Sequence, residues 1–296
     1  MAVLEINNLS KSYGKNKALD NLSMTIEAGN VYGILGPNGS GKTTTLGLIL
    51  DILKADSGTY TWFGDKMGDH FRLKIGSILE TPNFYPYMNA PQNLEVVAQI
   101  KNVDDVDYDE LLETVNLAHR KRSPFRTYSL GMKQRLAIAA TLIGDPDVLI
   151  FDEPTNGLDP QGIAEVRLIL KRISGQGNTV IMASHILDEV EKICSHVAII
   201  KKGKLLATGP IGSILNNDIT IEIAASDISQ LRSVLSSKSF VKSVNELSEW
   251  IECTVDEEID VTEFSKEMYN SGVVPTRLVA RKRRLEEEFL EITNNA

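Results

Sequence analysis

The residues best equipped for chemistry are the eight from Gly36 to Thr43, reading Gly36-Pro37-Asn38-Gly39-Ser40-Gly41-Lys42-Thr43. Their spacing fits G-x-x-x-x-G-K-[ST], a phosphate-binding loop. Glycines let the backbone wrap an anion without Cβ clashes. Successive N–H groups then point inward, and a helix start adds roughly half a positive charge. In such a loop Lys42 reaches the β- and γ-phosphates and the Thr43 hydroxyl holds Mg²⁺. The flanks suit the motif. Asn30 to Leu35 is an apolar, β-prone run, and Thr44 to Leu50 places apolar residues three and four apart, so the spacing predicts strand, loop and helix in that order.

A second constellation follows downstream. Asp147 to Glu153 is a run of four apolar residues closed by two acids, Asp152 and Glu153. A continuous apolar strand suits a parallel sheet buried on both faces, and ligands bind at the carboxyl ends of such strands. Two carboxylates there are costly unless they meet a cation. Asp152 is therefore expected to hold Mg²⁺, and Glu153 to polarise an attacking water. The next expected strand, Thr179 to Ser184, delivers His185 beside the acids. A lone histidine is usually structural; this placement favours a γ-phosphate contact. Ser129 suits a helix N-cap, with Met132, Leu136, Ala139, Ala140 and Ile143 at helical spacing behind it. Ser129 and Gly131 then sit either at a second anion site or on an ordinary capped helix. Tyr13, in the polar stretch Lys11 to Leu19, either stacks on a base or packs locally.

The elements that must position these groups are legible in outline. Val3–Ile6 and Leu22–Ile26 alternate as strands, with Lys11 to Leu19 as a polar turn between them. Gly58–Gly64 and Ile75–Leu79 read as further strands, the second ending at Glu80. Thr81 to Asn89 is a loop with two prolines and three aromatics, either a docking surface or a loop packed on its own domain. Residues 91–120 read as helix, interrupted by the acidic stretch 104–109. Helices are expected to about 174 and over 186–195, and a hairpin over 197–206. From Ile219 onward come a strand to Ala225, a helix over 227–236, strands near 241–245 and 249–255, a helix over 260–270, a strand over 273–279 and a helix over 284–292. Arg281 to Arg284 against Glu286 to Glu288 reads as a salt-bridged helix face.

Composition bounds the rest. The 296 residues suffice for a large domain and a small one. A net charge of −9 argues against nonspecific nucleic-acid binding. The two cysteines, Cys194 and Cys253, are far apart and outside any metal-spaced cluster. No apolar run approaches eighteen residues, so a cytosolic protein is expected, with any bilayer crossing left to another chain.

Together these residues resemble the ATP-binding subunit of an ABC transporter. Gly36 to Thr43 is similar to the Walker A motif, Val148 to Glu153 to Walker B, Ser129-Leu130-Gly131-Met132 to the signature, Asn156 to Asp159 to the D-loop and His185 to the switch histidine. Tyr13 sits where the family stacks adenine. The likeness spans residues 1 to about 215. It implies an α/β fold: a P-loop NTPase core with an antiparallel β subdomain and a helical subdomain at about 81–145. Residues 216–296 form a small C-terminal α+β domain. It implies ATP and Mg²⁺ as cofactors, with Gly36, Pro37, Asn38, Gly39, Ser40, Gly41, Lys42, Thr43, Thr44, Tyr13, Ser129, Gly131 and Asp159 binding nucleotide. Thr43, Glu80 and Asp152 are the expected metal residues, and Lys42, Glu153 and His185 the catalytic ones.

The resemblance further implies a head-to-tail dimer, each ATP lying between the loop of one copy and the signature of the other. Two positions depart from the family: the signature reads Tyr-Ser-Leu-Gly-Met, and Glu80 stands where most members have glutamine. With the Thr-Pro-Asn-Phe-Tyr-Pro that follows Glu80, these resemble the branch of bacterial exporters for bacitracin and lantibiotic self-protection. The reading is thus an ATP-hydrolysing exporter subunit at the inner face of the cell membrane, partnered by integral membrane subunits and a second copy of itself, with no nucleic acid. A soluble ABC ATPase and an ATP-gated clamp of low turnover stand as alternatives.

Overall fold

The computed structural model describes residues 1–65, 68–79, 83–214, 219–256, 259–282 and 284–294. The chain divides into two compact units, Met1–Ile211 and Gly212–Asn295.

The first unit runs β1 (Ala2–Tyr13), β2 (Asn16–Glu27), β3 (Val31–Leu35), α1 (Lys42–Ile49), β4 (Ser57–Trp62) and β5 (Ile75–Ile78). It continues through α2 (Ala90–Lys101), α3 (Tyr108–Thr114), α4 (Leu130–Leu142), β6 (Val148–Asp152) and α5 (Pro160–Ser174). It closes with β7 (Thr179–Ser184), α6 (Leu187–Ile193), β8 (His196–Lys201) and β9 (Lys204–Pro210). Six strands form the central sheet in the order β5-β6-β7-β3-β8-β9, parallel except for β9. Every residue of β3 and β7 is buried, as are four of the five in β6. That explains their largely apolar runs: α2 to α5 cover one face, and α1 with the β1 and β2 strands covers the other, so no position can alternate to solvent. The antiparallel sheet expected beside this core is present as β2-β1-β4.

The β1–β2 hairpin corrects one expectation. Lys11 to Leu19 is not a long polar turn; both strands run on to a two-residue connection, with Tyr13 paired to Asn16. Gly14, at φ +60°, permits the tight reversal. The polar residues there ride on strand rather than loop because their side chains reach solvent.

The second unit runs from α7 (Ile211–Ile214), which straddles the division, through β10 (Ile219–Ala225), α8 (Ile228–Ser237), β11 (Val241–Glu246), β12 (Ile251–Val255), α9 (Val261–Asn270), β13 (Pro275–Lys282) and α10 (Leu285–Asn294). Its antiparallel sheet has the order β11-β12-β10-β13, a βαββαβ arrangement. Ile221, Ile223, Leu231, Leu235, Ile251, Cys253, Phe264 and Met268 form its core. Arg281 is a strand residue, not part of a helix face. It pairs with Glu287 of α10, with Glu252 on β12 at 2.9 Å and with Glu222 on β10 at 3.9 Å. Cross-strand neighbours, which spacing along the chain cannot reveal, complete the ion group.

Candidate functional site

Three adjacent strands end together. Leu35 of β3 pairs with Ser184 of β7, and Asp152 of β6 pairs with Ala183 of β7. The loop 36–41, the acids 152–153 and His185 therefore leave the sheet side by side, at the carboxyl edge where open α/β sheets bind ligands.

The loop is held by close backbone approaches. Gly41 caps α1 at φ +111°, and a Cβ there would sit 2.5 Å from Ala18 O. Only glycine meets both conditions. The Lys42 ammonium is buried, donates to Gly36 O at 2.8 Å, and lies 3.5 Å from Glu153 Oε1. His185 Nδ1 lies 2.8 Å from Glu153 Oε2, and the His185 N–H donates to that oxygen at 3.4 Å. Glu153 is thus gripped at both carboxylate oxygens. Its backbone, at φ +48°, occupies the left-handed region that a non-glycine residue rarely adopts. A hydrogen bond from Glu153 N to Ala183 O at 2.9 Å fixes that turn.

Thr43 Oγ1 donates to Asp152 Oδ2 at 2.6 Å. Asp152 Oδ1 is buried with no hydrogen-bond partner among the described residues. Burial raises the Asp152 pKa above its ordinary 3.8, the Thr43 bond opposes that rise, and the Glu153 charge adds to it. A hydroxyl, one engaged carboxylate oxygen and one orphaned oxygen form a donor set suited to a hard divalent cation. Mg²⁺ commonly takes one or two protein ligands and completes its shell with phosphate and water. The Ser40 hydroxyl is likewise buried and unpartnered within the loop. Glu80, expected as a third metal residue, lies outside the described residues.

Ser129 and Gly131 are not part of this cluster. Ser129 caps α4, its hydroxyl accepting from Met132 N at 3.3 Å. The start of α4 instead abuts the turn before α5. Leu130 Cδ2 lies 3.3 Å from where a Cβ of Gly157 would stand, and Leu158 Cδ2 lies 3.9 Å from that of Gly131. Asp159 caps α5, its Oδ1 accepting from Gly162 N at 3.0 Å. Tyr13 is half exposed, with Lys11 Nζ 5.6 Å from its ring centroid. The aromatic loop divides: Phe84 packs edge-on against Phe125, whereas Tyr85 and Tyr87 are exposed.

One residue escaped sequence reasoning. Arg135, on α4, is buried, donates to Val115 O and Asn116 O at 3.1 and 2.7 Å, and pairs with Glu165 on α5 at 3.2 Å. It ties α4 to α5, the helix that Asp159 caps. A charge one residue before Leu136 of an apolar stripe was the only sequence signal.

Known proteins decide the family. The ABC transporter family profile matches residues 19–156. The lantibiotic transport ATP-binding protein SrtF of Streptococcus pyogenes is 39% identical over 226 residues, spanning 74% of this chain and 99% of that one. This chain belongs to the ABC transporter ATP-binding subunits. The bacitracin transport ATP-binding protein BcrA of Bacillus licheniformis is 42% identical over 213 residues, 70% of each chain. Its namesake from Enterococcus faecalis is 34% identical over 296 residues, covering 98% of this chain and 96% of that one. Among solved structures, cbiO1 of Clostridium perfringens, part of the ABC transporter complex cbiONQ, aligns with a TM-score of 0.64 at 30% identity, over 72% of this chain and 90% of that one. A dimeric ATP-binding cassette bound to ADP and Pi aligns at 0.61 with 25% identity, over 70% and 98%. As a member of the ABC family, the chain binds and hydrolyses ATP.

Proposed function

We propose that the chain acts as one half of a pair of identical copies, each nucleotide held between the phosphate loop of one copy and the Ser129–Gly131 helix start of the other. The observation that carries this reading is the separation of the two anion-directed groups within one chain. The Ser129 hydroxyl bonds its own helix, whereas Lys42, Thr43, Asp152, Glu153 and His185 form a cluster of their own. A dimeric relative bound to ADP and Pi supports the arrangement.

In this reading the loop from Gly36 to Thr44 cradles the phosphates and Tyr13 stacks on the adenine. Lys42 is already aimed into the loop, and its charge stabilises the transferring phosphoryl group. Thr43 and Asp152 hold Mg²⁺, which when bound neutralises charge on the phosphate oxygens. Glu153, oriented at both oxygens, accepts a hydrogen bond from the attacking water, and His185 contacts the γ-phosphate. Ser129 and Gly131 of the second copy close the site, with Asp159 beside them.

We further propose that hydrolysis drives a separate membrane-spanning exporter subunit. Relatives named for bacitracin and lantibiotic transport support an antimicrobial peptide as cargo. Among the described residues no helix is long and apolar enough to cross a membrane; the proposed place is the inner face of the cell membrane. Exposed Tyr85 and Tyr87 support docking through the loop that ends at Asn89. Residues 1–215 serve as the nucleotide-binding domain and 216–296 as an accessory domain, and the net charge of −9 supports no role for nucleic acid.

Light scattering on the Glu153→Gln variant tests the pairing. A dimer that appears with Mg²⁺-ATP and is absent with ADP is the expected result. A monomer under both conditions refutes it.

A further inference from the structure

A short residue, Ala18, joins three segments. A Cβ on Gly41 would lie 2.5 Å from Ala18 O, and one on Gly203 would lie 2.7 Å from the same oxygen. Gly203, at φ +79°, donates its N–H to Ser40 O at 2.9 Å and accepts from Asp20 N at 2.9 Å. The phosphate loop is therefore clasped between the β1–β2 hairpin and the β8–β9 turn. Those two segments are basic. Residues 11–17 and 201–204 carry six lysines, Lys11, Lys15, Lys17, Lys201, Lys202 and Lys204, and no acid, in a chain whose net charge is −9. Asp20 pairs with Lys17 at 2.5 Å and Lys204 at 3.7 Å, and Asp56 pairs with Lys11 at 3.2 Å. These two acids engage Lys11, Lys17 and Lys204. Lys15 and Lys202 are exposed at the tips of the two turns, outside the ion pairs found among the described residues.

The geometry points to a capture device: the two lysine turns form an electrostatic rim that draws a nucleoside polyphosphate into the loop from solution. The proposal rests on the reading of Gly36–Thr43 as the nucleotide site. The physical reason is field focusing. A local excess of one sign beside a concave site raises the on-rate of an oppositely charged ligand, and the gain falls steeply with salt. On an otherwise acidic molecule the rim offers a highly charged triphosphate an attractive approach. Lys42, buried and bonded to the loop carbonyls, cannot supply that outward field. The clasp at Ala18 fixes both turns relative to the loop, so the field needs no rearrangement when ligand arrives.

Stopped-flow binding of a fluorescent ATP analogue across a series of salt concentrations tests this on the full chain. The rim variant is Lys15→Gln with Lys202→Gln. The control is Lys171→Gln with Lys266→Gln, two exposed lysines on α5 and α9, which changes net charge equally. The rim variant is expected to bind about three- to tenfold more slowly at low salt. Its salt dependence should be shallower, its dissociation rate unchanged, and the control should match wild type. An unchanged association rate, an equal loss in the control, or an effect confined to dissociation overturns the proposal. Wild-type protein that fails to bind the analogue overturns instead the reading of the loop on which it rests.

Discussion

Replacing Asp152 by Asn should move stability in opposite directions with and without nucleotide. Burial raises this carboxyl's pKa in the folded chain above 3.8. A group with a raised folded pKa favours the folded state below its unfolded value, and that contribution is lost as pH rises through the folded value. Above that window the ionised Asp152 is a cost, increased by the adjacent Glu153 charge. Asparagine keeps an oxygen for the Thr43 hydroxyl and removes the charge. Without nucleotide the variant should therefore melt a few degrees above wild type at pH 7, and the gain should vanish as the pH falls to about 3.8. With Mg²⁺-ATP the order should reverse. A ligand at one hundred times its Kd adds about 2.7 kcal/mol, or roughly 5–11 °C for a unit of this size. The asparagine variant, deprived of the carboxylate proposed to hold Mg²⁺, should lose most of that shift. Thermal melts by circular dichroism, with and without Mg²⁺-ATP across pH, supply the measurement. The reasoning fails if Asp152→Asn lowers the melting temperature without nucleotide, or if it retains the full Mg²⁺-ATP shift.

Other changes should read out single contacts. Gly41→Ala forces a Cβ to 2.5 Å from Ala18 O at φ +111°; urea melts should show a loss of roughly 3 kcal/mol or more, combining backbone strain and overlap. Arg135→Leu abandons two carbonyls and Glu165, at a cost of roughly 2–4 kcal/mol; an unchanged urea midpoint would show that the ties to α3 and α5 contribute nothing. Tyr13→Ala should weaken nucleotide binding by about tenfold, within the roughly 1–3 kcal/mol typical of base stacking; calorimetry with ATP and with inorganic triphosphate separates the two ends, since only the ATP affinity should fall.

Much of this was legible because burial on both faces leaves a simple trace. Val148–Phe151 and Val180–Ala183 are unbroken apolar runs, and the ends of their strands deliver Asp152, Glu153 and His185 to one edge. The P-loop pattern fixed Lys42 and Thr43 relative to those ends. What stayed hidden depends on contacts distant in sequence. The partners of Arg281 lie on three other elements, so its charge spacing suggested a helix it does not join. The Lys11–Leu19 stretch looked like loop because polar side chains carry no mark of strand when they face solvent. Gly203 touches Ala18 and Ser40 across more than 160 residues, and no local pattern announces it. Arg135 was masked by the apolar stripe around it.

Mixing two disabled variants tests the shared site most directly. Lys42→Ala removes the loop cation, and Ser129→Glu places a like charge against the facing phosphate. Each alone should hydrolyse almost no ATP. In a mixed pair one site joins the intact loop of the serine variant to the intact Ser129 of the lysine variant, so combining the two should restore turnover. A mixture as inactive as its components, or a Ser129→Glu protein that works alone, would contradict a nucleotide held between two copies.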